Sequence, residues 1–278
     1  MCIRDRDVPR LGFGTFQLGG QACRDSVLTA LDVGYRHIDT ASMYGNEAEI
    51  GSALRETSVD RDTLFITTKV WHTDLAPDNL VASVERSLTL LGLDVLDNVL
   101  IHWPNPDIRV HSSLDALALC QQRGLIRGYG VSNFTLAQFQ EAVNHDANIS
   151  NHQVEHHAYL EQNALRRAVV EAGGFLTAYS PLGRGKLFSD PTVRAIASAH
   201  DVHPAQVAIA WLLSFDHVAV IPKATGRAHI ESNFQARSLR LTQDELVAMD
   251  ALPKNDRQVD PGFAPTWDPS TSTIDRSC

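Results

Sequence analysis

Four polar residues stand at the ends of short strand-like runs in this chain: Asp39 after YRHI, Tyr44 five positions on, Lys69 after LFITT and His102 after NVLI. A carboxylate, a phenol, an ammonium and an imidazole form a set that can hold and move a proton. A phenol's ordinary pKa near 10 is too high for easy proton exchange at neutral pH. An ammonium about 4 Å away, at an effective dielectric of about 20, is worth roughly 4 kcal/mol, a ceiling near 3 pKa units. Lys69 is the candidate for that charge and Asp39 for the group that holds it. Taken singly, Asp39 and Lys69 could equally be a structural ion pair and Tyr44 a loop tyrosine. Hidden ion pairs are costly, so one at a strand mouth points toward function.

The elements that must position these groups alternate regularly. Strand patterns are read at Leu11 to Thr15, from Tyr35, and at Leu64 to Val70, Val95 to Trp103, Ile126 to Val131, His152 to Glu155, Phe175 to Tyr179 and Val218 to Ile221. Helical periodicity follows each of them. Helix starts are marked by Pro77, Thr135 with Gln138, Asp190-Pro191, His203-Pro204, and Thr242 with Glu245; stops are marked by Gly34, Gly92 and Gly124. Eight strand–helix units imply parallel pairing through right-handed crossovers and a closed (β/α)8 TIM barrel, α/β in class, as a single domain over 7–278. An open doubly wound sheet is the competing architecture; its GxGxxG after the first strand is absent. Met1 to Arg6 lacks periodicity and reads as a disordered extension. In a barrel, the C-terminal strand ends share one mouth. Here they supply Asp39, Lys69, His102, Ser132, Gln153, Tyr179 and Lys223, more polar groups than a purely structural barrel needs.

The chain has 278 residues, 44 % of them hydrophobic and 21 % charged, enough for one large core. A net charge of −9 argues against nucleic-acid binding, which needs clustered Lys and Arg. No apolar run approaches the ~20 residues of a membrane span, and no signal-peptide pattern is seen. Four cysteines without CxxC spacing fit free thiols in a reducing compartment, hence a cytoplasmic protein. HQVEHH at 152–157 hints at a metal site, but on a strand His152 and His156 would stand about 13 Å apart, so none is expected.

HIDTASMYGNE at 37–47, ITTKVW, LIHWP, GVSNF, YSPLGRGKL and IPKATGRAHIESNF, in that order from Val8 to Asp268, resemble the aldo-keto reductase family. The short N-terminus and the closing APTWD resemble a bacterial group within it. The resemblance implies NADPH-dependent reduction of a carbonyl to an alcohol by hydride transfer. Tyr44 would be the proton donor, assisted by Lys69 and Asp39, and His102 would donate a hydrogen bond to the carbonyl oxygen. It further implies that Ser132, Asn133 and Gln153 meet the nicotinamide carboxamide and that Tyr179 stacks on the ring. Ser180, Leu182 and Gly183 would line the cofactor, with Lys223, Thr225, Arg227, His229 and Asn233 around the adenosine end. Phe16, Trp71 and Trp103 lie where the family lines its substrate pocket.

One departure bears on the cofactor. Many members carry Arg six residues after the lysine and Ser just after it; this chain has His229 and Ala224. A 2′-phosphate gains most from charge-assisted bonds, so NADPH is expected to be preferred with measurable use of NADH. Short loops after His102 and Tyr179 and a modest tail suggest an open, shallow mouth for small α-dicarbonyls, keto-sugars and simple aldehydes, and a monomer. A nicotinamide-binding module without turnover would not need all four catalytic groups. An unrelated barrel hydrolase or isomerase would need paired carboxylates or metal ligands, and only Asp39 and Glu155 stand at strand ends.

Overall fold

In the computed structural model, which describes residues 1–3, 6–269, 274 and 276, an eight-stranded parallel sheet curls into a barrel. Its strands are β3 (Phe13–Gly14), β4 (His37–Asp39), β5 (Phe65–Val70), β6 (Asn98–Ile101), β7 (Tyr129–Ser132), β8 (Asn151–Glu155), β9 (Phe175–Tyr179) and β10 (Val218–Val220). Each pairs with the next in register, for example Lys69 with Leu100 and Gln153 with Thr177. The seam between first and last strands is closed by the backbone. Gly12 N donates to Val220 O at 2.8 Å, Val220 N to Arg10 O at 2.7 Å and Gly14 N to Pro222 O at 3.1 Å. A Cβ on Gly14 would lie 2.7 Å from the Ile221 carbonyl oxygen, so the seam requires glycine there.

The helices form the outer layer, and their ends follow the local signals. Helix α3 (Pro77–Leu91) starts on its proline and stops at Gly92, whose φ of 67° closes the last turn. Capping boxes at Thr135 and Thr242 open α5 (Leu136–His145) and α10 (Gln243–Asp250). Asp190 caps α7 (Pro191–Ala199), and His203 caps α8 (Pro204–Leu213), so two helices precede the last strand. Among the described residues, no helix is long and apolar enough to cross a membrane.

The N-terminus differs from its sequence reading. Cys2–Ile3 (β1) pairs antiparallel with Arg6–Asp7 (β2). Ile3 and Val8 are buried against Phe65, Phe175 and Ala219, at the starts of three barrel strands. Met1 N donates to Val8 O at 2.9 Å and Arg6 Nη1 to Asp97 O at 2.6 Å. Residues 1–3, 6 and 7 therefore plug the bottom of the barrel and are not an extension outside it. Two-residue strands carry no period to read, which is why the sequence hides them.

Candidate active site

The mouth opposite the plug holds a cavity of about 830 Å³, within the range of small-molecule and cofactor sites. Seven strands reach it through their last residue or the one after it, and β8 reaches it through Gln153, two residues before its end. Asp39, Tyr44 and His102 line it, and Lys69 lies sealed behind them, 1 % exposed, beside Asp39 at 2 %. Lys69 Nζ spends its three donors on Asp39 Oδ1 at 2.6 Å, the Thr40 carbonyl at 2.7 Å and the Tyr44 hydroxyl oxygen at 3.4 Å. Gln153 Nε2 donates to the other Asp39 oxygen at 2.7 Å. The four catalytic candidates thus converge, and Gln153 joins them.

The loop that presents Tyr44 is built by its own short sequence. Residues Ser42–Tyr44 form one tight turn, ended by Gly45 at φ 65°. Asn46 is buried beneath it, donating to the Thr15 and Leu18 carbonyls at 2.9 and 3.0 Å and accepting from Thr40 Oγ1 at 2.7 Å. Ser42 Oγ donates to the Lys69 carbonyl at 3.0 Å. Tyr44 packs against Phe16 and His102, with ring centroids 5.0 and 5.6 Å away.

Electrostatics at the site are set by burial. The Tyr44 phenol is pushed well above its ordinary value, first by burial and then by Asp39. This reverses the expectation of a phenol made acidic by its ammonium. Burial removes the solvation a phenolate needs, and Asp39 offsets the field of Lys69. Lys69 is lowered by burial, against the pull of Asp39. His102 is driven well below the usual imidazole range by burial, then by Lys69 and His72. Among the described residues, its Nδ1 is buried without a hydrogen-bond partner.

Of the cofactor candidates, Ser132, Asn133, Gln153, Tyr179, Ser180, Leu182 and Lys223 line the cavity. Asn133 and Ser180 adopt left-handed backbone, φ 62° and 49°, the kind of local strain that clusters at functional sites. Asn133 Nδ2 donates to the His102 carbonyl at 2.9 Å and Ser132 Oγ at 3.0 Å, and Tyr179 OH donates to Asn133 Oδ1 at 2.7 Å. Gly183 sits just outside the lining, its carbonyl accepting from Gln258 Nε2 at 3.2 Å. Thr225, Arg227, His229 and Asn233 are not brought into the lining. Asn233 is buried, and Arg227 is bound to Asp32 at 2.7 Å and Glu231 at 3.1 Å. Those two hydrogen bonds raise its guanidinium above its ordinary value.

Phe16, Trp71 and Trp103 line the other end. Sequence reasoning missed their partner, Phe263, whose ring lies 5.6 Å from Trp71, 5.5 Å from Trp103 and 4.4 Å from His72. With Gln258, Val259, Asp260 and Pro261 it makes the tail a wall of the cavity, so the mouth is not the open, shallow one expected. The only signal was an aromatic residue set between Pro261 and Pro265. Arg184 was missed as well. His152 and His156 point elsewhere: His152 stacks on Phe139 at 4.8 Å, and His156 Nδ1 faces the Leu160 carbonyl at 2.8 Å.

A barrel whose mouth joins a buried lysine–aspartate pair to a tyrosine and a histidine defines a class, and the sequence agrees. Residues 10–254 match the Aldo/keto reductase family, and the chain belongs to that family. It is 40 % identical over 266 residues to the methylglyoxal reductase DkgB of Escherichia coli O157:H7, covering 94 % of this chain and 99 % of that protein. An aldo-keto reductase of Mycolicibacterium vanbaalenii is 40 % identical over 279 residues, 97 % of this chain and 94 % of the relative. A crystal structure of a provisionally assigned 2,5-diketo-D-gluconic acid reductase B superposes with a TM-score of 0.92 at 38 % identity, covering 94 % of each chain. The protein is therefore an oxidoreductase acting on carbonyls, from a family that uses nicotinamide cofactors, typically NADPH.

Proposed function

We propose that the protein reduces small aldehydes and ketones, α-dicarbonyls and keto-sugars among them, to alcohols, with NADPH preferred over NADH. The observation that carries this reading is the third donor of Lys69. Because Nζ donates to the Tyr44 oxygen, the phenolic proton is left free to face the cavity. Tyr44, held protonated by burial, gives that proton to the carbonyl oxygen as negative charge builds there. Lys69 then stabilises the phenolate left behind, and Asp39 with Gln153 keeps the ammonium in place. Neutral His102, with Nδ1 sealed, presents its remaining ring nitrogen as a donor that orients the carbonyl. When bound, the reduced nicotinamide supplies the hydride.

The residues present fit such a cofactor. A primary carboxamide both donates and accepts. Gln153 Oε1 and the second lone pair of Asn133 Oδ1 offer acceptors, and the Ser132 hydroxyl offers a donor. Arg184 and Lys223 bring positive charge to the cavity for phosphates. Arg227, already committed to two carboxylates, supports the expectation of incomplete discrimination against NADH.

Mixing the protein with NADPH and methylglyoxal and following the absorbance of the reduced nicotinamide tests this. A substrate-dependent decay, with hydroxyacetone or lactaldehyde as product, is expected. Tight NADPH binding without turnover on any small aldehyde would defeat the reading.

A further inference from the structure

We propose that Glu155 is a positioning residue: its buried carboxylate fixes the tail segment 256–263 across the mouth and so sets the substrate wall formed by Phe263. The inference rests on the reading of the aromatic end of the cavity as the substrate site. Glu155 ends β8, is 0 % exposed and does not line the cavity. Its Oε1 accepts from Gln258 N at 2.9 Å and from His157 Nε2 at 3.1 Å. Its Oε2 accepts from Val259 N at 3.0 Å and faces Arg257 Nη1 at 3.8 Å. His157 Nδ1 accepts from Tyr159 N at 3.2 Å, which leaves the ring proton on the nitrogen that faces Glu155.

A buried carboxylate is tolerable only with such donors, so the tail's backbone and the carboxylate depend on one another. The segment has no helix or strand of its own to hold it. Beyond the anchor, the Arg257 guanidinium lies 3.7 Å from the centre of the Trp267 ring, and Trp267 Nε1 donates to Asp260 at 2.8 Å. The tail is also tied to the cofactor side: Lys186 pairs with Asp256 at 2.7 Å and Gln258 Nε2 donates to the Gly183 carbonyl at 3.2 Å. Phe263, four residues past Val259, is where the fixed segment meets Trp71 and Trp103.

The experiment compares wild type with Glu155→Gln, Phe263→Ala and the double variant. Gln258 N also donates to Oε2, at 3.2 Å. An amide at 155, whose NH2 must face a donor on one side or the other, therefore loses or weakens one backbone bond to the tail, worth about tenfold. Glu155→Gln should raise the methylglyoxal KM about tenfold. Its kcat and the NADPH Kd, read from quenching of intrinsic fluorescence, should stay within about twofold. The double variant should be no worse than Phe263→Ala alone, because Glu155 acts through Phe263. Trypsin should cut after Arg257 faster in Glu155→Gln than in wild type. If Glu155→Gln does not fold, Val259→Pro removes one donor from the outside, and the same KM rise is expected. A fall in kcat at unchanged KM, multiplying KM effects in the double variant, or unchanged cleavage at Arg257 would each overturn the proposal. Cleavage is read without turnover. A wild-type protein inactive on methylglyoxal would defeat the functional reading, and the anchor would still be decided.

Discussion

Lys69 Nζ and Asp39 Oδ1 are 2.6 Å apart, with both side chains almost fully sealed from solvent. Removing one partner of such a pair leaves an uncompensated buried charge. Lys69→Met should destabilise the protein by about 3–5 kcal/mol and lower kcat by roughly 10²–10⁴. Adding Asp39→Asn neutralises the orphan, and the asparagine still accepts from Gln153. Stability should therefore largely return in the double variant while activity does not. Urea midpoints and kcat measured on the same preparations separate the two roles; a double variant with restored turnover would show the ammonium to be purely structural.

The direction of the Tyr44 and His102 shifts fixes the pH profile. The phenol is held protonated by burial and Asp39, and the imidazole is held neutral by burial and Lys69. Reduction, which needs both forms, should have a nearly flat kcat between about pH 6 and about pH 9. Oxidation of the alcohol needs the phenolate and should climb with pH over the same range. An alkaline fall in reduction centred near pH 7 to 8 would mean that a different acid donates the proton.

Acid stability is governed by histidines buried as neutral rings, His37 and His102 among them, since burial lowers both. Burial pushes His152 and His156 down to about 3. Unfolded, each returns to about 6.5. Between those values the unfolded chain binds protons that the folded one refuses. The stabilisation is thus present above about pH 6.5 and is lost as pH falls toward 3. At pH 5 each histidine costs about 2 kcal/mol. The melting temperature should drop sharply from pH 7 to 5, and His152→Leu should remove one histidine's share of that drop, about 2 kcal/mol at pH 5. A melting temperature unchanged down to pH 5 would contradict the burial of these neutral rings.

Much of this site could be read from residue types because barrel strands bring the residues near their C-terminal ends to one place. Asp39, Lys69, His102 and Gln153 were legible for that reason. What escaped was long-range and aperiodic. Arg227 and Asp32 are 195 positions apart, so nothing local reveals that the guanidinium is already occupied. Phe263 lies in a tail whose shape is set by the Glu155 carboxylate more than a hundred residues upstream. The N-terminal plug hides because its strands are too short to show alternation.

The Arg227 ion pairs give a cofactor prediction. Exposed pairs of this kind are weak and screened by solvent. Asp32→Asn should free the guanidinium for a 2′-phosphate and tighten NADPH binding by up to about fivefold, leaving NADH unchanged. Titrations of both cofactors by fluorescence quenching check it. Equal tightening for NADH would show that the phosphate is not what Arg227 meets.

The central role of the Tyr44 proton is tested most directly by Tyr44→Phe, measured in a single turnover with bound NADPH and methylglyoxal. Oxidation of the bound cofactor should be lost by about 10²-fold or more, while the NADPH Kd stays within about twofold of wild type. A Tyr44→Phe protein that still oxidises its bound cofactor at the wild-type rate would contradict it.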